Sequence, residues 1–169
     1  MKHNYFTHSS YERRENDHYP TVDRRCMKAL LNTWDFPLPA IDVCTKIGEP
    51  TPLKPATNGT FKDALGKYRS IITNPPYKKG VVDGVVEQII NTVKKGHIEF
   101  ATILVRVQWD CASTRDKFFN NKHFAGATRL QFRPYWSSER KHSPIHSYQW
   151  LVWKHRVDGF PVLKYDKGE

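Results

Sequence analysis

The sequence predicts an α/β fold, a mostly parallel sheet with helices on both of its faces. Three observations carry that prediction. Segments with apolar residues at helical spacing alternate along the chain with short β-branched runs. The run from Phe100 to Val107 is apolar almost throughout, as in a strand covered on both sides. The clearest helical stripe, Val81 to Val93, stands between two such runs, where a right-handed crossover between parallel strands belongs.

Residues 1 to 18 mix His, Tyr, Asn, Arg and Glu without a period of 2 or 3.6, and read as an irregular N-terminal arm ahead of a single domain from 19 to 169. Thr21 or Asp23 can cap a first helix, with Cys26, Met27, Leu30, Leu31 and Trp34 as its apolar stripe and an end before Phe36-Pro37. Ala40 to Cys44 is a short strand. Residues 49 to 60 carry Pro50, Pro52, Pro55 and Gly59, a density of breakers that predicts a loop. Phe61 to Leu65 forms a helical turn, and Tyr68 to Thr73 is a strand that stops at Asn74-Pro75-Pro76-Tyr77. The helix over Val81 to Val93 closes at Lys94-Lys95-Gly96, cations and a glycine where a helix C-terminus favours them. After the strand Phe100 to Val107, a helix covers Ala112 to Phe119 and a strand covers Ala127 to Phe132. A loop from Pro134 to Ser147 leads to a last strong strand, Tyr148 to Trp153. The tail from Asp158 is expected to touch the core through Val162 and Leu163 and to end polar.

Composition narrows the function. With 169 residues, 38% hydrophobic and 13% aromatic, the chain has enough apolar surface for a core and is not a disordered protein. No run approaches the roughly 20 apolar residues of a membrane helix, and the start lacks the apolar stretch of a signal peptide, so the expectation is a soluble, intracellular (cytoplasmic) protein with no membrane partner. Cys26, Cys44 and Cys111 are widely spaced and odd in number, which reads as small buried residues rather than a disulfide framework. The histidines have no Cys or acid at ligand spacing, so no metal site is predicted. A net charge of +10 favours a polyanionic partner.

Ligands of parallel sheets bind beyond the carboxyl ends of the strands, which directs attention to the residues after Cys44, Thr73 and Val107. Asn74-Pro75-Pro76-Tyr77 puts a rigid turn with an amide and a phenol ring at one of those ends. In that position, between a β-branched strand and a valine-rich helix, the segment resembles the hallmark of the amino-group DNA methyltransferases of the N6-adenine type, particularly the small phage enzymes. The resemblance implies an abbreviated Rossmann-like methyltransferase sheet, S-adenosyl-L-methionine as cofactor and DNA as substrate; the sequence does not discriminate DNA from RNA. It implies catalytic roles for Asn74, Pro75, Pro76 and Tyr77: Asn74 and the Pro75 carbonyl accept the amine N–H groups of a flipped adenine, Pro76 stiffens the turn, and Tyr77 stacks on the base. Tyr19 and Thr21 resemble the family's segment beside the methionine part of the cofactor, Asp42 and Gly48 the ends of its cofactor turn, and Thr60-Phe61 its segment near the cofactor adenine.

Two departures accompany the resemblance. Lys46 stands where the first glycine of the cofactor turn belongs, crowding the site and bringing a cation towards a sulfonium. The interval from Gly48 to Asn74 is too short for the helix and two strands that the family places there, at about 1.5 Å per helical and 3.3 Å per strand residue. A catalytically impaired relative that binds nucleic acid or another protein chain is the alternative. For nucleic acid, Arg106 at a strand end and Arg140, Lys141 and His146 in the basic, aromatic loop near Tyr135 and Trp136 are the contacts expected. A shortened sheet with an uncovered edge leaves monomer and homodimer open.

Overall fold

The computed structural model describes residues 20–45, 51–78, 80–136 and 145–169. The arm 1–18 and Tyr19, Lys46, Gly48, Arg140 and Lys141 lie outside the described residues. In chain order the elements are α1 (Arg24–Thr33), β1 (Ala40–Asp42), β2 (Thr57–Asn58), α2 (Phe61–Ala64), β3 (Ser70–Thr73), α3 (Val81–Lys94) and β4 (Phe100–Arg106). Two short 3-10 turns, Val107–Cys111 and Ser113–Arg115, then lead to α4 (Asp116–Phe119), β5 (Phe124–Leu130), β6 (Tyr148–Lys154) and β7 (Val162–Asp166).

The strands form a seven-stranded sheet in the order β2-β1-β3-β4-β6-β5-β7. Every neighbouring pair is parallel except those of β6, which runs antiparallel between β4 and β5. This is the mixed α/β, mostly parallel architecture that the alternation predicts. Strand periodicity divides the core between the two faces. Phe100 and Leu104 of β4 and Trp150 and Val152 of β6 pack with Cys26, Leu30 and Trp34 under α1. Ala101, Ile103 and Val105, with Leu151 and Trp153, pack with Val86, Ile89 and Val93 of α3 on the other face. Indole N–H groups pin the helices to the sheet: Trp150 Nε1 donates to the Cys26 carbonyl at 2.8 Å and Trp153 Nε1 to the Phe118 carbonyl at 2.9 Å.

Asp23 caps α1, its carboxylate accepting from the Arg25 amide at 3.2 Å and the Arg25 guanidinium at 2.7 Å. It also accepts from the Tyr135 amide at 3.2 Å, so one side chain ties the helix start to the segment after β5. Burial alone would raise its pKa; the hydrogen bonds from the Arg25 side chain and from the Tyr135 and Arg25 amides outweigh burial and hold it below the ordinary 3.8. A folded-state pKa below the unfolded one stabilises fully above the unfolded value and is lost as pH falls through the folded value. Asp23→Ala is therefore expected to cost about 1–2 kcal/mol near neutral pH. The gap from wild type should narrow as the pH falls below the ordinary 3.8. Denaturant titrations on both sides of that value check it, and a gap independent of pH would refute it.

Several expectations need correction. Leu31, placed on the stripe of α1, is 50% exposed, because the helix presents Cys26, Met27, Ala29 and Leu30 to the sheet instead. The first strand ends at Asp42 rather than Cys44, where the Asp42 side chain accepts from the Cys44 amide and turns the chain. The proline-rich loop contains β2, two residues held extended by pairing with Ile41 and Asp42. Of the helix expected over 112–119, Ala112 is extended, Ser113–Arg115 is one 3-10 turn, and only Asp116–Phe119 is α-helical, because the backbone at Arg115 (φ -100°, ψ 2°) leaves the helical region between them. β5 starts earlier and ends earlier than Ala127 to Phe132. The tail forms edge strand β7, parallel to β5, and Val162 and Leu163 are 45% and 50% exposed rather than core. β7 docks this closely because a Cβ on Gly126, at φ +137°, would stand 2.0 Å from the Val162 carbonyl oxygen. Of the three cysteines only Cys26 is buried; Cys44 is half-buried and Cys111 exposed. No helix among the described residues is long and apolar enough to cross a membrane.

Candidate active site

From β1 the chain passes outward to β2 and then returns across β1 to β3, so strand order reverses between β1 and β3. The crevice outside the carboxyl ends at such a reversal is where open α/β sheets bind ligands. Asp42 closes β1 on one side of it, and Thr73-Asn74 closes β3 on the other.

Asp42 is 2% exposed and takes donors from three segments. One oxygen accepts from the Cys44 amide at 3.1 Å and the Thr73 hydroxyl at 2.6 Å; the other accepts from the Thr45 hydroxyl and, at 2.6 Å, the Thr51 hydroxyl. A carboxylate offers about four lone-pair directions, so this network uses the full capacity of the side chain. Its effect is to clamp the turn after β1 and the start of the proline-rich segment to the end of β3. The Cys44 thiol beside it is pushed up to about 12 by burial; the Asp42 charge adds to the rise and the Thr73 hydroxyl opposes it.

Asn74 is 4% exposed, and its amide is held at both ends. Nδ2 donates to Thr21 Oγ1 at 2.8 Å, and Oδ1 accepts from the Tyr77 hydroxyl at 2.6 Å. That hydroxyl also lies 3.2 Å from the Leu104 carbonyl oxygen in β4. Pro75 is buried and Pro76 half-buried, which leaves the turn little freedom. The half-buried Tyr77 ring packs at 5.7 Å and 52° against Tyr148, which meets Trp136 edge-on at 4.8 Å and 69°. The Arg106 guanidinium stands 5.4 Å from the centre of the Tyr77 ring. Because β6 is antiparallel, its first residue, Tyr148, pairs with Arg106, the last of β4, and both reach the same edge as Asn74.

The structure thus brings together Asn74, Pro75, Pro76, Tyr77, Thr21 and Arg106, and joins Asp42 to them through Thr73. Thr60 and Phe61 follow β2 on the far side of β1, where the Gly59 amide donates to the Asp42 carbonyl at 3.0 Å. Thr60 is the cap of α2: its hydroxyl donates to the Asp63 carboxylate at 2.6 Å and accepts from the Asp63 amide at 3.3 Å. The Thr60 hydroxyl, and the Thr60 amide that donates to the same oxygen at 2.9 Å, hold the Asp63 carboxyl below its usual range. His146 is half-buried just before β6. Tyr148, Thr73 and Thr51 are site residues that the sequence reading did not single out. Only the antiparallel course of β6 makes Tyr148 part of the site, and no local pattern announces it.

No family model matches this sequence, and no curated protein does either. The functional reading rests on the residues themselves.

Proposed function

We propose that this chain is an S-adenosylmethionine-dependent methyltransferase acting on the exocyclic N6 amine of adenine in DNA, built on an abbreviated Rossmann-like sheet. The observation that carries the reading is the position of Asn74-Pro75-Pro76-Tyr77: at the carboxyl end of β3, beside the reversal of strand order, with a buried amide bonded at both ends. The lone pair of an exocyclic purine amine is delocalised into the ring, which makes it a poor nucleophile. Asn74 Oδ1 and the Pro75 carbonyl accept its two N–H bonds and so draw the lone pair out of conjugation. When the amine takes its place on Oδ1, the Tyr77 hydroxyl retains the Leu104 carbonyl as acceptor. The Tyr77 ring, backed by Tyr148 and Trp136, gives the extruded base a surface to lie against. The nitrogen gains a methyl group and gives up one proton.

The cofactor supplies a methyl group activated on a sulfonium centre. On the cofactor side the described residues suit it through backbone and apolar surface more than through carboxylates, since Asp42 spends both oxygens, and Asp63 one of its two, on this chain's own donors. The turn Val43–Thr45 follows β1 at the crevice, and the half-buried Phe61 follows β2 beyond it; these are the residues that would hold it. The net charge of +10 supports DNA as the partner.

A second reading, an impaired relative that binds nucleic acid through its base-binding half, is favoured by one observation. Between β1 and β3 the described residues build only a two-residue strand and a four-residue helix. Calorimetric titration with S-adenosylmethionine separates the two readings. Binding in the micromolar range, together with host DNA protected from an endonuclease blocked by adenine methylation, is the expected result. Absence of both would sink the enzyme reading.

A further inference from the structure

We infer that the edge of the sheet opposite the candidate active site is a second contact surface for a nucleic-acid backbone, formed by Lys94, Lys95, Lys122 and Arg156. The inference shares a nucleic-acid partner with the readings above and does not depend on methyl transfer. β4, β5 and β7 begin at this edge and β6 ends there, since Phe100 pairs with Lys154, Phe124 with Trp153 and Gly126 with Val162. The four cations come from the connections α3–β4, α4–β5 and β6–β7, and two imidazoles join these into one surface. His155 Nδ1 lies 2.8 Å from the Val93 carbonyl oxygen, which ties the segment after β6 to the last turn of α3. Its ring stacks on that of His123 at 6.2 Å and 21°, and His123 Nδ1 lies 3.1 Å from the Lys154 carbonyl oxygen, which ties the same segment to the start of β5. All four cations are exposed, and among the described residues none of them forms a salt bridge. The acids in these connections are Glu99, bonded to Arg69 at 2.7 Å, and Asp158. The dipole of α3 favours cations at its end and accounts for Lys94 and Lys95. It does not account for Lys122 and Arg156, which flank strands, where net dipoles are small. Cations gathered in this way repel one another, and a polyanion relieves the repulsion. From β4 across β6 and β5 to β7 is about 14 Å at about 4.8 Å per strand spacing, the reach of about four phosphates along one DNA strand. Phe160, 91% exposed in the β6–β7 connection, adds a ring on which an unpaired base can lie. β4 is 7 residues long, which puts this surface about 20 Å from the edge that carries Asn74. It therefore holds the polyanion without entering the site.

The test is the salt dependence of binding to a fluorescein-labelled DNA duplex, read by anisotropy. In the combined variant Lys94→Gln, Lys95→Gln, Arg156→Gln, the slope of log K against log salt should be shallower than in wild type by about 2–3, since each phosphate contact contributes about 0.9. A control that removes the same charge from exposed residues elsewhere, Lys28→Gln, Lys117→Gln, Lys167→Gln, should keep the wild-type slope to within about 0.5. At saturating DNA the first variant should methylate with the wild-type kcat. A slope unchanged in the first variant, or shallower by as much in the control, would overturn the inference. Vesicles of phosphatidylserine and phosphatidylcholine provide a further arm: if wild type binds them, and the first variant loses that binding while its DNA slope stays, the surface belongs to a membrane and the inference falls. A wild type that transfers no methyl group, but whose slope responds to the first variant alone, overturns the methyltransferase reading and upholds this surface. Methyl transfer with an unresponsive slope does the reverse.

Discussion

Asn74→Ala is expected to lower the rate of methyl transfer by at least about 100-fold, the scale seen when one preorganised polar contact to the reacting centre is removed. The change deletes the acceptor for the amine while the backbone carbonyl of Pro75 remains, so DNA affinity should be nearly unchanged and the loss should fall on kcat. The fold should survive. The Tyr77 hydroxyl still has the Leu104 carbonyl at 3.2 Å, and the unsatisfied group is the Thr21 hydroxyl, at a cost of about 1–2 kcal/mol. Transfer of a radiolabelled methyl group to adenine-containing DNA measures the rate, and a thermal melt confirms folding. A folded Asn74→Ala protein that methylates at more than about a tenth of the wild-type rate would show that the reaction does not run through this amide. Asn74→Asp, which keeps two acceptor oxygens, should retain far more activity than the alanine variant.

The parts of this molecule that were legible in the sequence are those whose physics is local. α1 is announced by Asp23, which caps it, and α3 by a valine and isoleucine stripe that it does bury. β4 is announced by an almost wholly apolar run, and its residues Phe100 to Val105 are indeed covered on both faces. The place of Asn74 to Tyr77 at a strand end is legible for the same reason, since four adjacent residues and one strand decide it. What was not legible depends on pairing between distant segments. Thr57-Asn58 has no strand character of its own and is extended because β1 offers it a ladder. β7 carries Leu163 and Tyr165 half-exposed at the sheet edge, so its apolar letters suggested a core contact that edge pairing replaces. Tyr148 enters the site only because β6 runs antiparallel beside β4. Asp42 was legible as an acid after the first strand. Its partners Thr51 and Thr73 were not, since the proline-rich segment has no period from which its return to β1 could be deduced.

That network makes Asp42→Ala the substitution with the largest expected effect on stability. Removing the carboxylate leaves the hydroxyls of Thr45, Thr51 and Thr73 and the Cys44 amide without their common acceptor. Thr51 and Thr73 are 2% and 0% exposed, so water does not replace it there. Each buried donor left unsatisfied costs about 1–3 kcal/mol, and Thr45, which is less buried, recovers part of its loss in solvent. The total should be about 3–5 kcal/mol, the range for removing one member of a buried charged network. For a domain of this size that is a fall in Tm of about 10 °C. Asp42→Asn should fall between alanine and wild type, because its single carbonyl oxygen can keep two donors while its NH2 faces the other two hydroxyls, which must rotate to accept. A carboxylate that served only as a cofactor ligand would behave in the opposite way: its removal would leave the melt of the free chain unchanged or raise it, by relieving a buried charge. A Tm within about 2 °C of wild type for Asp42→Ala would therefore refute the clamp and return Asp42 to the cofactor side. The expected large fall would mean that the end of β1 and the end of β3 are one mechanical unit. Asn74 is then held from two directions, by Thr21 through its side chain and by Asp42 through the neighbouring Thr73.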